Sequence, residues 1–390
     1  MTVDAFTFNT VPRVVFAPGA ARELADHCRS LGIARPLLVT DPGLVEIGLV
    51  APVEAALEAE GLAVTRFAEV REDPPESVVL ACVELGRAAG ADGVVAVGGG
   101  SSMDTAKVVA VLLGGEQPLP ELYGVDQVRG GRLPLLLVPT TAGTGSEATP
   151  VAVITTGETT KAGVSSPVLL PDIAVLDPEL TLGLPPRVTA MTGIDAMVHA
   201  IEAYTSRHRK NPVSDNLARS ALTLLAGNLR TAVEEGGNLA ARSAMLLGAF
   251  QAGQAFANAP VAAVHALAYP LGGHYHIPHG LSNSLVLPSV LAFNARAAAP
   301  LYAELAPLVL GRPVDGTAVE ATEALIEALC ALIEAVGLPG TLAEAGVPAV
   351  DLPMLADDAM QQQRLLVNNP REVAREDALA IYRAAHGAVA

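Results

Sequence analysis

A chain of 390 residues with 41 acidic and 24 basic side chains, net charge −17, lacks the basic surface that nucleic acid or an anionic membrane would require of a partner. Hydrophobic residues make up 51% and aromatics only 3%, a profile that fits a soluble α/β and helical protein and argues against a β-sandwich. The length exceeds what one core usually holds, so two domains are expected.

Cys28, Cys82 and Cys330 are scattered with no CxxC pairing, which argues against a disulfide framework and fits a reducing compartment. The opening stretch MTVDAFTFNTVPR has no basic segment leading into an apolar one, so no signal peptide is read there. No apolar run approaches the roughly 20 residues that a bilayer span needs. A cytoplasmic protein is expected.

The first half alternates strand and helix signals. Residues 35–40 form a short apolar run ending at Asp41-Pro42-Gly43, followed by an amphipathic stretch to about Glu60. Residues 62–70 read as the next strand, 76–89 as a helix and 93–97 as a buried strand. Such alternation indicates βαβ units and a parallel sheet, with ligands beyond the carboxyl ends of the strands.

Two strand ends are rich in glycine. After residues 93–97 comes GGGSSMDTAK, Gly98 to Lys107, leading into a helix. Glycine lets backbone approach a pyrophosphate, and the amides at a helix N-terminus supply donors and a favourable dipole. The stretch is neither GxGxxG nor a Walker A loop, and a tight strand–helix turn with a serine cap is the plain alternative. After a strand at 133–138 comes PTTAGTGSE, Pro139 to Glu147, whose four hydroxyls among glycines suit ribose and phosphate oxygens. Asp41 stands where a carboxylate can accept from an adenosine 2′-hydroxyl and repel a 2′-phosphate, or else simply cap the turn before Pro-Gly.

A hairpin around Gly157 and a strand at 173–176 precede proline-rich punctuation, which places a boundary at 182/183. The expected domains are thus 1–182 and 183–390. Beyond it the pattern is helical over 190–204, 215–229, 240–258, 318–336 and 375–385. Asp195 and His199 share one helix face at i, i+4 among apolar neighbours, where a carboxylate and an imidazole can converge on zinc or ferrous iron. The competing reading is a solvated Asp–His pair. Residues 264–280, VHALAYPLGGHYHIPHG, hold four of the eight histidines: His265, His274, His276 and His279. With two prolines and three glycines the stretch is not helical throughout, so imidazoles can be aimed from a bend.

In order, TDPGL, GGGSSMDTAK, PTTAGTGSE, LLPDIAVLDPELTLGLPPRVTAMTGIDAMVHAIEAY, HALAYPLGG and IPHG make the chain resemble the iron-containing (group III) alcohol dehydrogenases over essentially its whole length. That resemblance implies a Rossmann-like dinucleotide-binding domain of parallel sheet, an all-α second domain and a site in the cleft between them, an architecture shared with dehydroquinate synthase. It implies a divalent metal, Fe2+ or alternatively Zn2+, on Asp195, His199, His265 and His279. Gly98, Gly99, Gly100 and Ser101 would hold the pyrophosphate of NAD, Asp104 would belong to the same cofactor-binding set, and NADP is disfavoured by Asp41. Thr140, Thr141, Thr144 and Ser146 would line the ribose and nicotinamide, and Lys161 falls near a cofactor-contacting lysine of relatives. The implied reaction is hydride transfer between NAD(H) and a small alcohol or aldehyde, by a homodimer or other homo-oligomer.

Relatives often read HxxxH where this chain has His265-Ala-Leu-Ala-Tyr269, so Tyr269 and His274 are the candidates for the substrate-side and proton-relay roles. Maleylacetate reductase and hydroxyacid–oxoacid transhydrogenase are the alternative oxidoreductases. A sugar-phosphate cyclase would need a basic phosphate pocket, and Arg187, Arg207, Arg209 and Lys210 all lie outside the metal motifs.

Overall fold

The runs that read as uninterrupted apolar strands lie in the middle of a parallel sheet, where helices cover both faces. The computed structural model of the chain describes residues 5–157 and 161–387. In chain order the strands are β1 (Arg13–Phe16), β2 (Pro36–Val39), β3 (Thr65–Phe67), β4 (Gly93–Gly98), β5 (Gly124–Val125), β6 (Leu135–Pro139), β7 (Val151–Thr155), β8 (Lys161–Ser165) and β9 (Ile173–Leu176). Six form one all-parallel sheet in the order β1-β9-β6-β4-β2-β3. In a second sheet β7 and β8 pair antiparallel, as the expected hairpin requires, and β5 lies parallel to β8. Interleaved are the helices α1 (Leu24–Ser30), α2 (Pro42–Glu46), α3 (Ala51–Ala59), α4 (Glu76–Ala88) and α5 (Gly100–Gly114).

Alternation along the strands divides the core in two. Leu37, Val39, Val94, Ala96, Leu135 and Leu137 pack with residues of α4 and α5. Leu38, Val95, Val97, Leu136, Val138 and Val175 pack with residues of α1 and α3. The chain winds outward from β2 to β3 in one direction, and from β4 through β6 and β9 in the other. The reversal falls between β2 and β4, whose carboxyl ends carry Asp41 and Gly98, the switch point at which open α/β sheets bind ligands. The strand read over 62–70 shrinks to the three residues of β3. β1, too short to register as a run, is an edge strand with Val14 and Phe16 exposed.

This α/β unit spans Asn9–Leu182. The second unit takes the chain from Gly183 onward, together with Phe8 and the residues just before it. Its helices are α6 (Pro186–Thr205), α7 (Pro212–Glu234), α8 (Leu239–Asn258), α9 (Ala263–Tyr275), α10 (His279–Leu310), α11 (Ala318–Ala335), α12 (Leu352–Ala359), α13 (Gln363–Leu366) and α14 (Arg375–His386). Helix α6 packs against α7, α8 and α10, and from Gly193 to Thr205 every residue is buried. A helix buried all round should be apolar all round. This one carries Asp195, His199 and Glu202 at i, i+4 and i+7, a single polar stripe inside the core.

The histidine-rich stretch is helical as far as Tyr275, then turns at His276, whose φ of 53° is left-handed, and at Pro278. The start of α10 comes unusually close to α6. A β-carbon at Gly280 would overlap the carbonyl oxygen of Met191 and lie 2.8 Å from its carbonyl carbon and 3.3 Å from the Asp195 β-carbon. Only glycine permits that approach. At 32 residues, α10 corrects the expectation that no segment is long and apolar enough to cross a membrane. It has the length and composition, yet three prolines interrupt it and it packs against α6, α9, α11 and α14 as a core helix.

Candidate active site

The stripe on α6 meets the two ends of the histidine-rich stretch around one carboxylate. Asp195 Oδ1 lies 3.8 Å from His199 Nε2, 4.0 Å from His265 Nε2 and 3.7 Å from His279 Nε2. Ligand atoms of Asp195, His265 and His279 all fall within 4.8 Å of one another. His199 sits at the edge of this group, its ring stacked between Phe256 (4.3 Å) and His265 (4.9 Å). Asp195, His199 and His265 are buried, and His279 opens the cluster to solvent.

Burial alone would push the Asp195 carboxyl up, but the imidazoles of His199, His279 and His265 and the Asn283 amide hold it below the ordinary carboxylate range. Its charge is compensated by imidazoles, with no lysine or arginine ion-paired to it among the described residues. A buried anion facing three nitrogen donors fits a divalent cation of the zinc or ferrous type, and the residues present suit such an ion.

Tyr269 lies beside this group, its ring centroid 5.9 Å from that of His279. His274 does not. It is exposed, and its Nε2 is 2.5 Å from Asp358 Oδ2. His276 is likewise exposed. Two residues not singled out from the sequence complete the cluster. Glu202 accepts from the amides of Ala262 (3.0 Å) and Val264 (2.7 Å), and its Oε2 lies 2.7 Å from His265 Nδ1. Asn283, one turn after His279, donates to Asp195 Oδ1 at 2.6 Å, and its own Oδ1 is buried with no hydrogen-bond partner. The i+7 spacing from Asp195 to Glu202 was the available signal.

In the α/β unit, the ends of β2, β4 and β6 bring the glycine and threonine loops side by side. Thr140 is buried and its N–H donates to Gly98 O at 3.0 Å. A β-carbon at Gly98 would lie 2.6 Å from Ser102 Oγ, and one at Gly100 would lie 2.9 Å from Thr144 Cγ2, so a larger residue at either position would have to displace a side chain of these loops. Gly99 caps α5 with no side-chain hydrogen bond, and Ser101 stands in the first turn. Beside Gly99, Thr141 Oγ1 is buried without a partner. Free amides at a helix N-terminus and an orphaned hydroxyl are what a phosphate-bearing cofactor would satisfy. Asp41 Oδ1 accepts from Leu44 N at 3.0 Å as the cap of α2, while Oδ2 points at Gly98, 3.8 Å from where a β-carbon there would sit. The cap thus engages one oxygen of the carboxylate and leaves the other directed at the glycine loop.

Other residues of the expected set have hydrogen-bond or ion-pair partners within the α/β unit. Asp104 accepts from Ser146 Oγ (2.6 Å) and Val153 N (2.9 Å). The fully buried Lys107 donates to Ser146 Oγ (2.7 Å), Thr149 Oγ1 (3.2 Å) and Val151 O (2.7 Å). Asp104 and Ser146 therefore brace the threonine-rich loop with their side-chain groups already engaged. Lys161 pairs with Asp73 at 2.6 Å.

Residues 12–178 match the family described as iron-containing alcohol dehydrogenase, and residues 189–386 match the Fe-containing alcohol dehydrogenase family, C-terminal. Long-chain-alcohol dehydrogenase 1 of Geobacillus thermodenitrificans is 42% identical over 385 residues, covering 96% of this chain and 97% of its own length. The crystal structure of a 1,3-propanediol oxidoreductase superposes with a TM-score of 0.94 at 36% identity, covering 98% of this chain and 100% of that one. A sulfoacetaldehyde reductase from Bifidobacterium kashiwanohense, solved in complex with NAD+, gives 0.89 at 29% identity, covering 99% and 100%.

Proposed function

Because this chain belongs to the iron-containing alcohol dehydrogenase family and is an oxidoreductase acting on alcohols or aldehydes, we propose that Asp195, His199, His265 and His279 hold its divalent metal and that the loops at Gly98–Ser101 and Thr140–Thr144 hold NAD(H). The observation that carries this is the buried Asp195 carboxylate facing three imidazole nitrogens and, among the described residues, no lysine or arginine. The ion, Fe2+ or alternatively Zn2+, supplies Lewis-acid polarisation of the alcohol or carbonyl oxygen, and the nicotinamide supplies or accepts hydride. The chain's own part is positioning. Asp195 and the imidazoles fix the ligand set, Tyr269 borders it at His279, and the glycine and threonine loops seat the dinucleotide. Metal analysis of purified protein, with a panel of small alcohols and aldehydes assayed against NADH and NADPH, tests the reading. Undiminished turnover after complete metal removal would sink it.

NAD is the preferred cofactor on this reading, because a 2′-phosphate would meet Asp41 Oδ2. We expect discrimination of about tenfold to a hundredfold in kcat/KM, equivalent to about 1–3 kcal/mol. Asp41→Gly should narrow the gap while costing only a few tenths of a kcal/mol at the α2 cap. Equal efficiency with both cofactors in the unaltered enzyme would show that Asp41 faces something else.

Tyr269 shapes the substrate side and offers its hydroxyl to the substrate oxygen. A phenol, with an ordinary pKa near 10, is a poor base at neutral pH. Tyr269→Phe is therefore expected to raise KM severalfold and leave the pH profile of kcat in place. No proton transfer is placed on His274, whose partner is Asp358, so His274→Ala should leave kcat and its profile unchanged. A lost limb near pH 6–7 in His274→Ala would restore the relay to that residue.

The acidic charge supports a cytoplasmic enzyme that acts on small molecules with neither nucleic acid nor membrane as partner. The apolar edge of β1, with Val14 and Phe16 exposed, supports a homo-oligomer.

A further inference from the structure

We propose that Glu202 is a positioning residue that sets the tautomer of His265, so that His265 Nε2 presents a lone pair to the ligand cluster. The inference rests on the assignment of Asp195, His199, His265 and His279 as metal ligands. Glu202 is buried in α6, and its two oxygens receive three groups: the N–H of Ala262 at 3.0 Å and His265 Nδ1 at 2.7 Å on Oε2, and the N–H of Val264 at 2.7 Å on Oε1. An ionised carboxylate only accepts, so the proton of a neutral His265 lies on Nδ1.

The far end of the ring agrees independently. Asn283 Nδ2, which donates to Asp195 Oδ1 at 2.6 Å, lies 3.3 Å from His265 Nε2. An amide N–H approaches that nitrogen favourably only if it bears no proton. Contacts at opposite edges of one imidazole thus select the same tautomer.

Glu202 does this from a fixed place. The amides of Ala262 and Val264 belong to the open N-terminus of α9, where Ala262 offers no side-chain cap. The carboxylate therefore satisfies the first turn of α9 and, through the same oxygen, the imidazole which that turn carries. A negative charge is also favoured at this end of a helix. Position and tautomer of His265 are set together.

Glu202→Gln separates charge from shape. With its oxygen toward Val264, the glutamine NH2 faces the N–H of Ala262 and Nδ1–H of His265; turned over, the NH2 faces the N–H of Val264, so either orientation sets donor against donor and removes the charge. The first orientation admits the His265 proton on Nε2, with Nδ1 accepting from the glutamine amide, so Nδ1–H is no longer the one tautomer this end of the ring accepts. A share of the chains then carries a proton on the nitrogen that should bind metal.

The test uses the full chain, stripped of metal and labelled with 15N-histidine. In the unaltered protein the His265 nitrogen shifts should report Nδ1 protonated and Nε2 bare, and in Glu202→Gln a larger share of the Nε2-protonated form. Zinc affinity, read by competition with a chelator, should fall about 10–100-fold in Glu202→Gln. A metal-free unaltered chain with His265 protonated on Nε2 overturns the inference, and so does a folded Glu202→Gln variant that binds zinc within about twofold of the parent. The first measurement needs no variant, so a variant that fails to fold leaves the inference open to refutation. Failure of the unaltered chain to bind zinc or iron at all would instead overturn the ligand assignment beneath it.

Discussion

Asp195→Asn is expected to abolish metal retention and to lower kcat/KM by about a thousandfold or more. The substitution preserves volume and removes the one anionic donor that faces His199, His265 and His279. Lewis-acid polarisation of the reacting oxygen is worth several kcal/mol, and each 1.36 kcal/mol is tenfold in rate, so losing about 4 kcal/mol gives that figure. The fold should survive, because asparagine keeps the volume and an oxygen that can still accept from the Asn283 amide. Metal per chain and kcat/KM measured on the same preparation decide the matter. A variant that keeps one ion per chain would show that Asp195 is not a ligand.

The second large effect comes from a single methyl group. Gly280→Ala places a β-carbon against the Met191 carbonyl and 3.3 Å from the β-carbon of Asp195. The first obstacle is backbone and cannot swing aside, so the opening turn of α10 must move away from α6. That shift carries off His279, the residue immediately before it. Overpacking of this kind costs about 1–3 kcal/mol. Zinc affinity is expected to fall at least about tenfold, since that strain must be met again whenever His279 approaches Asp195. Gly273→Ala in α9 is the control, with nothing within 4 Å of the added carbon. Helix propensity makes that change neutral or stabilising by up to about 1 kcal/mol. Equal melting temperatures and zinc affinities in the two variants would refute the close-approach argument.

Asp195 and His199 were legible because a helix period and two ligand-type side chains coincide, and His265 and His279 because histidines are scarce elsewhere in the chain. The same scarcity promoted His274 and His276, since clustering cannot tell a side chain aimed inward from one paired with Asp358 at the surface. Asn283 left no trace, because an asparagine among leucines and serines carries no ligand signal. A sequence likewise cannot show that Asp104 and Ser146 bond to each other, to Val153 and to the buried Lys107. The long buried strands were read from their apolar runs, whereas β1 and β5 are too short to show one. Helix α10 was hidden by Pro288, Pro300 and Pro307, which read as breakers and are carried here within a single packed helix.

The hydrogen bonds that complete the α6 stripe span long stretches of chain: 60 to 63 residues from Glu202 to its three partners, and 88 from Asp195 to Asn283. A zinc finger sets its ligand pairs two to five residues apart, so the ion itself can nucleate folding. Here the loop-closure entropy has to be met by helix packing before the donors can converge. At synthesis rates of 5–20 residues per second, the acid and imidazole of α6 leave the ribosome about 3–18 seconds ahead of their partners. On the proposed ligand set, ion capture follows tertiary assembly in biogenesis and cannot drive it.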